Sequence, residues 1–231
     1  IILGTLFLLI PFFLRMIKNS LIRWSGAFLV IMAAVLSIFY VQKTAREYNT
    51  IHPIDIKTLD LVTARGNPYV HNYFSEQTEN GHRMWLYVQW DEMRETWNRR
   101  SPIAFDSLDM KNQKIAYTIV RYLTSKGWRK DGDAIDRLTE KEVDAIEKGV
   151  ANYVFLEKFS MKGRIYEFML GYDTYQETGN PTGSTVMQRI EFWKASLGII
   201  RDHWITGVGT GDMNQAFANQ YEKMGTKLDP G

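Results

Sequence analysis

The chain has 231 residues, with 28 Lys and Arg against 26 Asp and Glu, four His and no Cys, for a formal net charge of +2. So even a balance, with no basic stripe, excludes a nucleic-acid footprint, and the absence of cysteine excludes a disulfide framework and thiol nucleophiles. The length suits one ordinary domain, or a domain plus membrane spans.

Two apolar runs open the chain. Ile1 to Leu14 is almost wholly apolar, and Gly26 to Val41 is apolar apart from Ser37. The second run, extended back to Trp24, approaches the roughly 20 residues a bilayer-spanning helix needs, whereas the first is too short alone. With no initiator methionine ahead of it, the first run reads as a truncated span over 1–14. Arg15, Lys18 and Arg23 lie between the runs with no acid among them, a bias that holds the 15–23 loop in the cytoplasm and sends everything after about Gln42 outward. Trp24 and Tyr40 bracket the second span, 24–41, at positions where interfacial aromatics belong. A cleaved signal peptide fits less well, because no small-residue cleavage pattern follows Val41. Two buried helices of a soluble core are the competing reading.

Residues 42–183 read as an enlarged outer loop or accessory domain. Lys43 to Asp60 is polar and leads the chain off the membrane. Tyr69 to Phe74 and Met84 to Trp90, rich in aromatic and β-branched residues, predict a hairpin around Glu79-Asn80-Gly81. Asp91 caps a predicted short helix through Trp97, ended by Ser101-Pro102. Asn112 to Ser125 follows as a helix with a stripe of Ile115, Ile119, Tyr122 and Leu123, closed by Gly127. Asp131, Asp133 and Asp136 evoke a calcium loop but lack its twelve-residue frame and closing glutamate. Thr139 with Glu142 forms a capping box for a short helix that Gly149 terminates. Ser160 to Tyr175 is helical, with Ile165, Phe168, Met169 and Tyr172 as its apolar side, and Gly179 to Gly183 breaks the chain. The aromatic residues of this region serve either core packing or, if exposed, stacking on sugar rings.

The last segment, 184–231, is the most organised. Ile190, Trp193, Leu197, Ile200 and Trp204 recur at three- and four-residue steps, predicting a half-buried amphipathic helix from Ser184. Arg189 lies one residue off that stripe. There it is either an ordinary surface arginine or a guanidinium emerging at the edge of a buried face to grip a phosphate or carboxylate. Gly207-Val208-Gly209-Thr210-Gly211 follows, then Asp212 and a second helical pattern, Met213 to Met224. Asp212 with Gln215 fits a capping box. The glycines Gly207, Gly209 and Gly211 suit close backbone approach to an anion but lack the P-loop ending and the dinucleotide spacing, and a tight turn between helices accounts for them equally. His52, His71, His82 and His203 are dispersed, none with a partner at metal-ligand spacing. No Gly-x-Ser-x-Gly elbow is present.

The run Arg189, Phe192-Trp193-Lys194, Ile199-Ile200 and Gly207 to Asp212 resembles the signature of the O-antigen ligase and polymerase superfamily of bacterial inner-membrane proteins. Arg65 to His71, Glu79-Asn80-Gly81, Trp97 to Ser101 and Arg121 to Gly127 resemble a subgroup with an enlarged periplasmic loop, so the resemblance covers most of the chain from about Asn67. It implies a mainly α, polytopic membrane protein with two N-terminal transmembrane helices. Its helix-dominated extracytoplasmic domain would contain a small β-hairpin. It also implies transfer of a glycan from undecaprenyl diphosphate to lipid A-core or a similar acceptor at the periplasmic face, with no metal or cofactor. Arg189 is the family's diphosphate contact by this likeness, Gly207, Gly209 and Gly211 shape the substrate site, and an essential histidine is expected beyond Gly231, leaving this stretch inactive alone. His203 is not that histidine. A polymerase of the same superfamily and a membrane-anchored extracytoplasmic sensor are the other two readings.

Overall fold

The computed structural model describes residues 19–209 and 211–228. The chain divides into two compact units, Ile1–Glu47 and Tyr48–Gly231. The first unit's described part is one long helix, α1 (Ser20–Asn49), whose last two residues belong to the second unit. Asn19 starts it by accepting the amide of Leu21 at 3.0 Å through its side chain. From Trp24 to Gln42 the helix carries no charge, and Leu21, Phe28, Leu29, Leu36 and Phe39 are all more than half exposed. A helix apolar all round and bare of packing partners is unstable in water; this one is long and apolar enough to cross a membrane. It exceeds the predicted 24–41 span at both ends, and it takes in Ser20 to Arg23, which were assigned to a basic loop. The first apolar run, 1–14, lies outside the described residues, so one helix of this kind is seen and not two.

The second unit is mainly helical. Its core gathers Met93, Trp97, Ile119, Leu123, Ile135 and Ile146 from four short helices, with Val88, Phe105 and Leu138 added from the segments outside them. The helix α2 (Trp90–Arg100) buries Met93, Thr96 and Trp97, and the Trp97 indole donates to the Ile103 carbonyl at 2.8 Å. Its cap is Gln89, not Asp91: the extended Gln89 accepts the Glu92 amide, which leaves Asp91 inside the first turn, where a carboxylate complements the helix dipole. Helix α3 (Ile115–Ser125) presents the predicted stripe, with Ile115, Ile119, Tyr122 and Leu123 fully buried. It begins later than Asn112 because Asn112 adopts φ +61° in a turn whose amides, Lys111 and Gln113, bond to Asp109.

The remaining two helices of the core follow directly. Asp131 caps α4 (Gly132–Asp136) by accepting the Ala134 amide, while Asp133 and Asp136 both hold Arg65 at 2.9 Å. These three carboxylates are thus a cap and an ion-pair platform. Helix α5 (Glu140–Glu147) opens on the predicted Thr139–Glu142 capping box, and Gly149 at φ +76° follows it.

The hairpin forms at the predicted turn but is far shorter than its sequence suggests. Strands β1 (Thr78–Glu79) and β2 (His82–Arg83) pair antiparallel around Asn80 and Gly81, both at positive φ. Beyond them pairing shrinks to isolated bridges, Val70 with Val88 and Val88 with Lys130. Tyr87 at φ +56° breaks the extended run, and its amide donates to His71 Nδ1 in place of a ladder carbonyl.

Three helices complete the unit. Ser160 caps α6 (Met161–Thr178) and Gly179 ends it at φ +64°. Ser184 caps α7 (Thr185–Asp202), and α8 (Met213–Met224) ends at Gly225. The predicted apolar side of α6 is not its packed side: Phe168 and Tyr172 are exposed, and Gly163 and Tyr166 are the buried residues.

Candidate functional site

Helix α7 meets its neighbours through Met187, Glu191, Ala195 and Ile199, a strict four-residue series. Small residues allow the contact: Ala195 is fully buried, and a side chain at Gly198 would strike Gln220 of α8 at 2.3 Å. Glu191 is a buried acid at 3 % exposure, held by the Tyr175 hydroxyl at 2.7 Å and by Lys194 at 2.8 Å. Burial alone would raise its carboxyl, but the hydrogen bonds from Lys194 and Tyr175 outweigh that and hold it below the usual carboxylate range. The same contact raises the Tyr175 phenol and the Lys194 ammonium. Phe192 stacks on Phe217 of α8, centroids 4.9 Å apart.

That docking inverts the orientation expected from the sequence. Of the predicted core stripe, Trp193, Leu197, Ile200 and Trp204 are 60–77 % exposed and only Ile190 is partly buried. The period was read correctly and its direction was not, because the packed face is the series Met187, Glu191, Ala195 and Ile199, two of whose four members are not large apolar residues. With 100° per residue, Arg189 falls on this exposed face, one turn before Trp193. Arg189 is itself exposed and has no hydrogen-bond or ion-pair partner among the described residues. The arrangement is a cation at the head of an exposed apolar strip that runs about 16 Å along the helix from Arg189 to Ile200, at 1.5 Å per residue, with Trp204 in the turn beyond.

The helix α7 ends at His203, whose amide donates to the Ile199 carbonyl, and the turn that follows runs into the glycine stretch. Gly207, at φ +67°, donates its amide to the His203 carbonyl at 2.7 Å. Neither Gly209 nor Gly211 has positive φ, and a side chain at Gly207 or Gly211 would meet nothing within 4 Å. Asp212 does not cap α8 through its side chain, since its backbone is already helical at φ −98° and ψ 0°. An apolar cavity of about 450 Å³ opens beside this turn, walled by Phe192, Ile199, Trp204, Met213 and Phe217 with Gly207 at its rim. Nothing in the sequence singled out this cavity, because its walls come from two helices whose mutual register is a tertiary fact.

Arg189 and the glycine turn are not brought together. Helix α7 runs unbroken between them, so about 20 Å of axis separates Arg189 from Asp202, and one phosphate cannot touch both. The chain matches no protein-family model, no curated protein and no solved structure.

Proposed function

We propose that this chain belongs to an O-antigen ligase-like glycosyltransferase of the bacterial inner membrane. In this reading α1 is one of several spans and the second unit works at the periplasmic face. The donor is a glycan on undecaprenyl diphosphate, the acceptor lipid A-core or a similar glycan, and no metal or nucleotide takes part. The reading rests on one observation above the rest: an exposed Arg189, whose side chain has no partner among the described residues, heads an exposed apolar strip on α7. A polyprenyl diphosphate has the complementary form, a dianionic head on a long hydrocarbon, and an arginine fork matches its phosphate oxygens with parallel hydrogen bonds.

The reaction is a displacement at the anomeric carbon. An acceptor hydroxyl attacks it, the carbon–oxygen bond to the diphosphate breaks, and the hydroxyl proton passes to a base while undecaprenyl diphosphate leaves. Arg189 stabilises the charge that collects on the departing diphosphate, a contribution of the kind worth about 10²–10³ in rate per fixed donor.

Cells carrying Arg189→Ala in the full-length protein test this. Surface glycan should disappear while the lipid-linked donor persists and accumulates. Normal display at normal protein level would return the chain to a sensor or scaffold role. Short, unextended donor in the mutant would move it to the polymerase reading.

A further inference from the structure

A second cavity, of about 460 Å³, lies within the Tyr48–Gly231 unit, between the Asn80-Gly81 turn, α3 and α6. Its size falls in the roughly 300–1,000 Å³ range of small-molecule sites. Unlike the cavity beside α8 it is walled by polar groups held in place from behind. Arg121 Nε donates to Glu79 at 2.9 Å, and Asn152 Nδ2 donates to the other Glu79 oxygen at 2.7 Å and to Asn80 Oδ1 at 2.8 Å. Asn80 Nδ2 in turn donates to the Ser125 carbonyl at 2.9 Å. Asn152 is 5 % exposed, so the network is anchored in the interior. On the α6 side, Asp173 accepts the Tyr48 hydroxyl at 2.7 Å.

The backbone beneath is equally fixed. Asn80 sits at φ +49°, and Gly81 lies so close to the Thr50 carbonyl that an added Cβ would stand 1.8 Å from its oxygen. Both positive φ values, at Asn80 and Gly81, are those a two-residue hairpin turn requires, so the turn holds Asn80 in one place at the cavity wall. Phe155, 36 % exposed, and Leu170, 52 % exposed, supply apolar surface in the same wall.

This combination discriminates among ligands. Two carboxylates disfavour a phosphate or other anion by like-charge repulsion, and each is already engaged, Glu79 by Arg121 and Asp173 by Tyr48. A purely apolar ligand would strip water from Glu79, Arg121 and Asp173 without replacing their hydrogen bonds. A pyranose meets both demands, since its hydroxyls donate to carboxylates and accept from a guanidinium while its C–H face lies on an aromatic ring. We propose that this cavity is a saccharide-binding site for one or two neutral hexose or hexosamine units. The proposal is independent of the transfer reading, because Arg189 does not line this cavity.

Saturation-transfer NMR on the full-length protein in nanodiscs tests it, with the methyl glycosides of N-acetylglucosamine, galactose and rhamnose as probes. At least one should receive saturation, most strongly on its ring C–H protons. Asp173→Asn and Phe155→Ala should each weaken binding about tenfold, the equivalent of one good hydrogen bond or stacking contact, whereas Arg189→Ala should leave it unchanged. Leu170→Ala, at a half-exposed position, replaces either variant that melts early. No saturation from any of the three sugars, or binding unchanged in two folded cavity variants, overturns the site. Loss of sugar binding in Arg189→Ala would also overturn it, by showing that the sugar sits elsewhere.

Discussion

Lys130 carries its ammonium into the interior at 3 % exposure, where its nearest acceptor is the Arg83 carbonyl at 3.4 Å. Burial pushes its pKa from 10.5 down to about 8, against a partial rescue by Asp131. The unfolded chain therefore binds this proton more tightly than the folded one, so stability is lost as pH falls from 10.5 through 8, and the whole penalty is in place at pH 7. Lys130→Met, apolar and of similar length, should raise stability at pH 7 by about 1–3 kcal/mol and have little effect near pH 11. Thermal melts of the full chain at the two pH values measure this. The same change should lift the titration of His71, which burial first and Lys130 second hold below 6.5, and to a lesser degree that of His82, where burial and then His52 come ahead of Lys130; equal gains at both pH values would contradict the charge account. Glu142 shows the opposite economy of a buried charge. Burial raises its carboxyl, but hydrogen bonds from Lys126 and Thr139 overcome this, with Tyr122 donating at 3.1 Å, so the acid stays ionised inside the fold.

The helices differ in how far residues announce their place. Of the predicted N-terminal caps only the Thr139–Glu142 box forms, whereas Asp91 gives way to Gln89 and Asp212 makes no side-chain cap; the stripe of α3 was legible because its apolar residues are also its packed ones. The faces of α6 and α7 were not. Periodicity reports where large apolar residues recur but cannot say whether protein or another apolar phase covers them. Helix α7 docks by Ala195 and Glu191, residues no hydrophobicity pattern selects, and exposes Trp193 and Leu197. The candidate site was accordingly half legible. Arg189 was singled out by its place beside the stripe and by resemblance, while its exposure on the outward face followed only from how α7 docks. A pair of substitutions checks the orientation. Leu197→Ser, on the exposed face, should change stability by no more than about 0.5 kcal/mol. Ala195→Leu, on the packed face, should cost about 1–3 kcal/mol by overpacking. Melting curves that rank the two the other way would mean that α7 is turned over.

At the scale of the whole molecule, one helix long and apolar enough to cross a membrane leads into a mainly helical unit bearing a short hairpin. That unit presents three surfaces of different chemistry: the Arg189 strip, the apolar cavity at the end of α7 and the polar cavity around Glu79 and Asp173. A lipid-linked glycan carries the matching parts, with a diphosphate, a hydrocarbon and a run of sugars in one molecule. The measurement that bears most directly on this is glycan transfer by purified full-length protein in nanodiscs. The assay would supply an undecaprenyl-diphosphate-linked donor and lipid A-core and follow the mass of the acceptor. The account predicts transfer by the unaltered protein, a loss of about 10²-fold or more with Arg189→Ala and partial recovery with Arg189→Lys. Transfer at an undiminished rate by a folded Arg189→Ala protein would contradict it.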